Sequence, residues 1–169
     1  ISLNNRFYEQ IKYLENHSQC AVLGSNVYLI DSKSKKFSEI KHKENSDFLK
    51  EKIQYEHVFN SATLMFRKSF VDKVGGYNSN FEMVNDYDLL FRLSRKFEIS
   101  NLNQTLVCNR QHESNLSYVK IVKGQIELVK LQLYIFREIK KIKIKMKLSQ
   151  NILLTILRII YHSLKIKFK

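Results

Sequence analysis

The chain carries the sequence VNDYDLLFRL at residues 84–93. Apolar residues recur there and just beyond at helical spacing, at Leu89, Leu90, Leu93 and Phe97. This spacing predicts a helix whose apolar face is anchored in a core. Asn85 or Asp86 is expected to be its N-cap, because a short polar side chain accepts hydrogen bonds from the free N–H groups of the first turn. The sequence therefore predicts acidic side chains held at the start of a rigid helix.

The two aspartates of this stretch differ in their local surroundings. Asp88 has a basic neighbour at i+4, Arg92, with which it can pair on the helix surface. Asp86 has no such partner in the sequence. An acidic first turn is ordinary helix chemistry, because the N-terminal end of the helix dipole favours anions, so spacing alone favours a structural role. Between the two, Asp86 is the candidate for chemistry and Asp88 the candidate for structure.

A longer stretch, residues 61–117, carries four short motifs in a fixed order. They are Met65-Phe66-Arg67, then Val74-Gly75-Gly76-Tyr77, then Asn85-Asp86-Tyr87-Asp88-Leu89-Leu90 with Arg92, and finally Arg110, His112, Ser114 and Ser117. This stretch resembles the acceptor-side half of a family 2 glycosyltransferase with the GT-A fold. Asn85 stands where that family often has Glu or Gln, and Leu90 where Trp is usual. Residues 1–17 are similar to the helix that follows the metal-binding Asp-x-Asp motif.

The resemblance implies a site and its ligands. Asp86 matches the general base, and the substrate-binding side is matched by Asn85, Asp88, Arg110 and Gly76. His112 matches a position that completes metal coordination in some GT-A enzymes. The implied ligands are a nucleotide-diphosphate sugar and a divalent metal, Mg or Mn, held mainly by Asp-x-Asp. That motif does not precede Ile1, so the chain is expected to be the C-terminal portion of an enzyme, without the nucleotide-binding half.

The composition is that of a globular protein. Of the 169 residues, 44% are hydrophobic and 12% aromatic, which argues against a disordered chain. The expected fold class is α/β: a partial GT-A, Rossmann-like fold with a mixed sheet, followed by basic C-terminal helices. The expected domains are residues 1–117, the acceptor-side part, and residues 118–169, a basic helical extension.

Helices and strands are expected to alternate along the first part. Helices are predicted at 5–17, 46–53 and 68–74, and strands at 21–31, where a hairpin begins, and at 98–110. Residues 58–66 fit a strand or a loop. In the first helix, Phe7, Ile11 and Leu14 form the expected apolar face. Gly75-Gly76 is expected to end the helix before it, because glycine tolerates a left-handed cap.

Neither the histidines nor the cysteines form a recognisable metal pattern. His42 and His57 stand alone in polar sequence and are interpreted as solvated surface residues. Cys20 and Cys108 lack the spacing of a zinc site or a disulfide framework. A reducing cytoplasm is therefore the expected compartment.

The basic charge is concentrated after residue 117. The net charge is +13; residues 1–117 contain 16 Lys and Arg against 14 Asp and Glu, and residues 118–169 contain 13 against 2. A helix is expected there whose apolar positions are Ile121, Leu128, Leu131 and Ile135. Residues 139–148 alternate Ile and Lys, which fits either a basic strand or a helix with a basic face.

Residues 151–164 are the clearest amphipathic segment of this basic part. The apolar stripe comprises Ile152, Leu153, Ile156, Leu157, Ile160 and Leu164, with Thr155, Arg158 and His162 expected to face away. The run is too short to cross a bilayer, so it either packs on the domain or lies on an anionic membrane surface. Members of the resembling family act on glycan or lipid-linked acceptors, which favours a peripheral location on the inner face of the plasma membrane.

These patterns leave two kinds of function open. The resemblance implies a glycosyltransferase of bacterial surface polysaccharide synthesis. The alternative is a basic nucleic-acid-binding module, since the pI is 9.7 and tyrosines accompany the lysines, or a catalytically inactive remnant. Because the charge lies in one tail and no nucleic-acid-binding fingerprint is present, no nucleic-acid partner is expected.

Overall fold

The computed structural model describes residues 1–112 and 120–167, with side chains described as far as residue 163. In chain order the elements are α1 (Arg6–Asn16), β1 (Cys20–Ile30), β2 (Lys36–Ile40), α2 (Ser46–Lys52), a 3-10 turn (Ser61–Thr63), β3 (Met65–Phe66), α3 (Lys68–Lys73), α4 (Asn85–Ser94), β4 (Glu98–Arg110), α5 (Ile121–Glu138) and α6 (Ile142–Lys167). Helices therefore lie before, between and after the strands.

β1 is the central strand of a mixed sheet. β4 pairs with β1 in parallel along one edge, from Cys20 opposite Glu98 to Ile30 opposite Arg110. β2 pairs antiparallel with the second half of β1, and β3 pairs antiparallel with its first half, where Leu23 lies opposite Met65. Because β4 occupies one edge of β1 along its length, β2 and β3 share the other edge.

The core forms where the sheet meets α4, α5 and α6. Its buried members come from β1, α4, β4 and both C-terminal helices, and include Val22, Leu89, Phe91, Ile99, Leu131, Ile135, Ile144 and Leu148. Phe70 of α3 stacks on Phe97 at 4.3 Å between ring centroids, which closes the end of α4. Burial of apolar side chains is the main favourable term in folding, so this cluster fixes α4 on the sheet.

The sequence prediction of the fold class is confirmed. The chain is α/β, with a mixed sheet followed by C-terminal helices, consistent with a partial Rossmann-like fold. The helices predicted at 5–17, 46–53 and 68–74 and the strands predicted at 21–31 and 98–110 are all present within two residues of the expected ends, whereas the segment predicted at 151–164 belongs to the longer α6. Residues 58–66 contain the 3-10 turn and the short β3, and residues 139–148 belong largely to α6 rather than to a strand.

The predicted apolar face of α1 is correct for Leu14, which is buried, but wrong for its other two residues. Phe7 and Ile11 are 59% and 47% exposed, whereas Gln10 is fully buried. Its Nε2 donates hydrogen bonds to the backbone carbonyls of Leu23 and Thr63, at 3.1 and 2.8 Å. An amide therefore attaches this part of α1 to the sheet and the 3-10 turn, because it satisfies two carbonyls that would otherwise be buried without partners.

The face of α6 that packs inward also differs from the prediction. Thr155, expected to face away, is buried, and its hydroxyl donates a hydrogen bond to the carbonyl of Asn151 at 2.8 Å. Leu153 and Leu157 of the predicted apolar stripe are 59% and 53% exposed, and Ile160 is half exposed. Across residues 1–112 and 120–167, no helix has the length and hydropathy needed to span a bilayer.

The expected domain boundary, between residues 117 and 118, falls among residues 113–119, outside the described part of the chain. Ser114 and Ser117 of the fourth motif lie there as well. The division into two domains stays a prediction. Within the described residues, α5 and α6 contribute to the same apolar core as α4.

Two glycines provide a test of this packing with effects of opposite sign. A Cβ added to Gly24 would lie 2.6 Å from both Asn101 Oδ1 and Phe59 Cδ1, so Gly24→Ala should lower the free energy of unfolding by about 1–3 kcal/mol. A Cβ added to Gly124 meets only Met83, at 3.5 Å or more. Gly124→Ala should raise the free energy of unfolding by about 0.5–1 kcal/mol, because alanine favours the helix. Urea denaturation measures both, and a Gly24→Ala chain as stable as wild type would contradict this packing.

Candidate functional site

The carboxylate of Asp86 lies in the first turn of α4 and has a polar neighbour on each oxygen. Oδ1 accepts a hydrogen bond from the backbone N–H of Tyr87 at 2.7 Å. Oδ2 accepts one from the hydroxyl of Ser61, in the 3-10 turn, and lies 3.6 Å from Nε2 of His57. The last distance is longer than a hydrogen bond but close enough for an ion pair when the imidazole is protonated. Three separate segments therefore position one carboxylate.

The N-cap prediction for α4 is wrong. The helix begins at Asn85, and its N-cap is Val84, which makes no side-chain hydrogen bond to the helix. Asp86 lies inside the first turn, and its oxygens are engaged by Tyr87, Ser61 and His57 instead. Two of these partners, Ser61 and His57, come from other segments of the chain, and sequence spacing cannot reveal such contacts.

The surroundings of Asp86 keep it ionised at neutral pH. Burial alone would raise its pKa, because a low-dielectric environment disfavours the charged form. His57, the Ser61 hydroxyl and the N–H of Tyr87 outweigh that effect and hold the pKa below its ordinary value. The carboxylate is thus a proton acceptor that is already in its accepting form.

The glycine turn before α4 forms as predicted and leads toward Asp86. Gly75 and Gly76 have φ angles of +84° and +69°, the left-handed region that glycine favours, and their N–H groups bond back to the last turn of α3. Tyr77 follows, and partial burial together with the charge of Asp86 raises the pKa of its phenol. The turn therefore places an exposed tyrosine in the electrostatic field of the carboxylate.

Asp88 is a structural anchor in this arrangement. It is 1% exposed, and its Oδ2 accepts hydrogen bonds from Nε and Nη2 of Arg92 at 2.9 and 2.7 Å. The same guanidinium donates to the carbonyls of Val74, at 2.5 Å, and Gly76, at 2.7 Å. Arg92 thereby fixes the glycine turn to α4, and the predicted pairing of Asp88 with Arg92 is confirmed.

A carboxylate of α5 holds the loop that leads into α4. Glu127 is 7% exposed, and its Oε2 accepts hydrogen bonds from the backbone N–H groups of Glu82 and Met83, at 2.9 and 2.7 Å. The side chain of Glu82 in turn pairs with Lys120 and Lys123, which lower its pKa to about 2. The first turns of α5 thus fix the chain just before Asp86.

The remaining residues implied by the resemblance are distributed unevenly. Asn85 and Gly76 lie beside Asp86 and Asp88, at the start of α4 and in the glycine turn. Arg110 ends β4, and its guanidinium donates to three oxygen atoms of residues 31–34, at 2.8, 2.9 and 3.0 Å.

Arg110 and His112 lie toward the other end of the sheet from Asp86. The 3-10 turn that carries Ser61 lies beside Leu23, because the side-chain amide of Gln10 donates hydrogen bonds to the carbonyls of both Leu23 and Thr63. Arg110 pairs with Ile30, at the end of β1, roughly 20 Å of strand further on. His112 follows β4 and is exposed.

The described residues do not by themselves form a metal centre. Across residues 1–112 and 120–167, no three side chains of His, Cys, Asp or Glu converge in a way that could hold an ion. A stable protein site for Mg²⁺ or Mn²⁺ needs several oxygen or nitrogen ligands, and His112 would supply one of them.

A pocket of about 310 Å³ lies next to His57, on the side of α5 and α6. Its lining includes His57, Tyr87, Gln132, Asn151, Thr155 and Arg158. His57 and Tyr87 also contact the carboxylate of Asp86, His57 through Nε2 and Tyr87 through its backbone N–H, so the pocket adjoins the carboxylate.

Sequence reasoning missed three contributors to this site. His57 was interpreted as a solvated surface residue, which is wrong: its Nε2 is buried against Asp86, and its ring meets Tyr87 edge-on at 5.2 Å. Ser61 carries no distinguishing pattern. Glu127 did give a signal, because it lies one helical turn before Leu131 on the buried face of α5.

Titration of Asp86 tests this electrostatic environment. Its pKa should lie below 3.8, and Ser61→Ala should raise it, because a donor to the ionised form is lost. Because the folded pKa is depressed, the carboxylate stabilises the fold above pH 3.8, and this contribution disappears as the pH falls through the folded pKa. Carbon-detected NMR of the carboxyl group measures the pKa, with exposed Ser38→Ala as control. A wild-type midpoint at or above 3.8 would contradict the assignment.

One curated relative bears on function. The chain is 27% identical over 137 residues to the amylovoran biosynthesis glycosyltransferase AmsE of Erwinia amylovora. The match covers 79% of this chain and 51% of that protein, so the chain spans about half the length of its relative. No family model matches. The similarity supports a relationship to a glycosyltransferase.

Proposed function

We propose that this chain is the acceptor-side part of a family 2 glycosyltransferase with the GT-A fold, and that Asp86 is its general base. The observation that carries the proposal is a single carboxylate held ionised at the start of α4 by Ser61, His57 and the N–H of Tyr87. The similarity to a glycosyltransferase named for amylovoran biosynthesis supports a role in bacterial surface polysaccharide synthesis.

In the proposed reaction Asp86 accepts the proton of the acceptor hydroxyl. As the proton leaves, the hydroxyl oxygen forms a bond to the anomeric carbon of the nucleotide-diphosphate sugar. The bond from that carbon to the diphosphate oxygen breaks, and the diphosphate departs with the electron pair. Attack opposite the leaving group inverts the anomeric centre. A base positioned for such a transfer typically contributes about 10²–10⁴-fold in rate.

The neighbours of Asp86 have distinct parts in this proposal. A lowered pKa makes the carboxylate a weaker base, but keeps it fully in the proton-accepting form at neutral pH. Ser61 and Tyr87 orient its two oxygens, and His57 stabilises its charge. The donor's diphosphate and its divalent metal are assigned mainly to groups outside the described residues. Arg110 and His112 stay candidate contributors from within them, although both lie toward the other end of the sheet from Asp86.

Replacement of the base provides the direct test. In a complete enzyme containing this chain, Asp86→Asn should lower kcat by about 10²–10⁴-fold while donor binding is retained, because the amide fills the same space but accepts no proton. Asp72→Asn is the matched control: that carboxylate is exposed on α3 and pairs with Lys68. Turnover of Asp86→Asn within a few fold of wild type would show that another group is the base.

The exposed face of α6 is the basis for a second part of the proposal, that the chain lies on an anionic membrane surface. Leu153, Leu157 and Ile160 are exposed on a helix whose other face is packed in the core. Residues 118–169 carry 13 basic against 2 acidic side chains. Exposed apolar groups beside cationic ones are the pattern of an interfacial helix, and each Lys or Arg near such a surface contributes on the order of 1 kcal/mol. The location proposed is the inner face of the plasma membrane.

Vesicle sedimentation tests the membrane proposal. The chain should bind vesicles rich in phosphatidylglycerol, and the double variant Leu153→Glu, Leu157→Glu should bind at least about tenfold more weakly, because apolar burial is replaced by charge repulsion. Ile11→Glu is the control, because it places the same charge at an exposed apolar position of α1, which is distant from α6 in the sequence. Tighter binding to duplex or single-stranded DNA than to these vesicles would instead favour the nucleic-acid alternative.

A further inference from the structure

The pocket beside His57 is a partly open cleft lined by residues 55–57, α4, α5 and α6. At about 310 Å³ it has the volume of the smaller ligand pockets. Tyr87, 2% exposed, forms part of its floor, and the C-terminal helices α5 and α6 supply the opposite wall. Asn151 of α6 is held in place by a hydrogen bond from its Nδ2 to the carbonyl of Tyr55 at 2.6 Å.

Gln132 gives the pocket an unused polar group. The residue is 3% exposed, and its Oε1 has no hydrogen-bond partner among the described residues. An unpaired buried amide oxygen has lost the hydrogen bonds that it made with water, so it destabilises the fold unless a water or a ligand satisfies it. Gln132 lines the pocket, so a hydroxyl donor bound there would supply the missing bond once the side-chain amide turns its covered oxygen toward the pocket.

The charges around the pocket indicate the class of that molecule. Arg158 and Glu56 both line it, one cationic and one anionic, so neither sign of ligand is favoured overall. The other polar groups are side-chain amides, hydroxyls and one imidazole, from Gln132, Asn151, Thr155, Tyr55, Tyr87 and His57. Side-chain amides and hydroxyls both donate and accept hydrogen bonds, as the hydroxyl groups of a sugar do. The lining therefore matches an uncharged polyhydroxyl ligand.

We infer that this pocket binds an uncharged sugar unit of the glycan acceptor, next to the unit whose hydroxyl reacts at Asp86, and that Gln132 determines its binding. The inference rests on the proposed function, since it takes the pocket's ligand to be the acceptor. His57 lines the pocket, and its Nε2 lies 3.6 Å from Oδ2 of Asp86, so a sugar in the pocket lies next to a side chain that contacts the carboxylate. An adjacent unit of the same glycan would then reach the carboxylate.

Side-chain amide NMR on the chain labelled with ¹⁵N tests this directly. The probes are lactose, maltose and diacetylchitobiose, all uncharged disaccharides, added without any nucleotide sugar. At least one should shift the side-chain amide signals of Gln132 and Asn151. Gln132→Met should weaken that binding by about 3- to 10-fold, the range expected for one lost hydrogen bond. Its melting temperature should equal or exceed that of wild type, because an unpaired buried oxygen is removed.

Gln125→Met is the matched control. Gln125 lies on the same helix, its Oε1 is likewise buried without a partner, and it lines a different pocket. This variant should keep wild-type sugar binding. If no disaccharide shifts the two amides in the folded wild-type chain, or if Gln132→Met binds as tightly as wild type, the inference is wrong. Because no transfer is measured, these outcomes are independent of Asp86: sugar binding with an active Asp86→Asn enzyme would overturn the proposed base and leave the pocket assignment standing.

Discussion

The parallel pairing of β1 with β4 is the constraint on which the rest of the structure depends. α4 runs into β4 through a turn of only three residues, so the register of β4 on β1 also fixes the position of α4. Asp86 lies at the opposite end of that helix, within the same rigid unit. The 3-10 turn is tied to β1 through Gln10, which brings Ser61 to the carboxylate from the other side. The geometry of the site is thus set by backbone pairing, and side chains refine it.

Buried ionised groups complete this framework at two points. Arg92 joins Asp88 to the glycine turn, and Glu127 joins α5 to the loop before α4. A buried charge is costly unless its hydrogen bonds are satisfied, and both carboxylates accept two of them. Such groups contribute little net stability but strongly favour one arrangement over others, because any slip would leave a charge unpaired in the interior.

The sequence was sufficient to predict most of the helices and strands and to place Asp86 at the start of α4, because both depend on local patterns. Helical spacing of leucines located α4, and glycines located the turn before it. The faces of α1 and α6 were predicted wrongly because periodicity treats every glutamine and threonine as outward-facing. Gln10 is buried because it satisfies carbonyls of the sheet and the 3-10 turn, and Thr155 tolerates burial because its hydroxyl bonds a carbonyl of its own helix. His57 could not be found, since its only link to Asp86 is a contact across 29 residues of chain that no spacing rule describes.

The two hydrogen bonds that Glu127 accepts from the loop before α4 also affect when the site is completed during synthesis. A nascent chain emerges from its N-terminal end and folds as it emerges. By the time residue 110 is available, β1 and β4 can pair and α4 can pack, with Asp86, Ser61 and His57 already in reach of one another. The backbone N–H groups of Glu82 and Met83 nevertheless remain without their acceptor until α5 has been made. The segment before the carboxylate therefore becomes fixed only after α5 has been made, and a chain that stopped short of α5 would lack both these hydrogen bonds and the part of the core that the C-terminal helices supply.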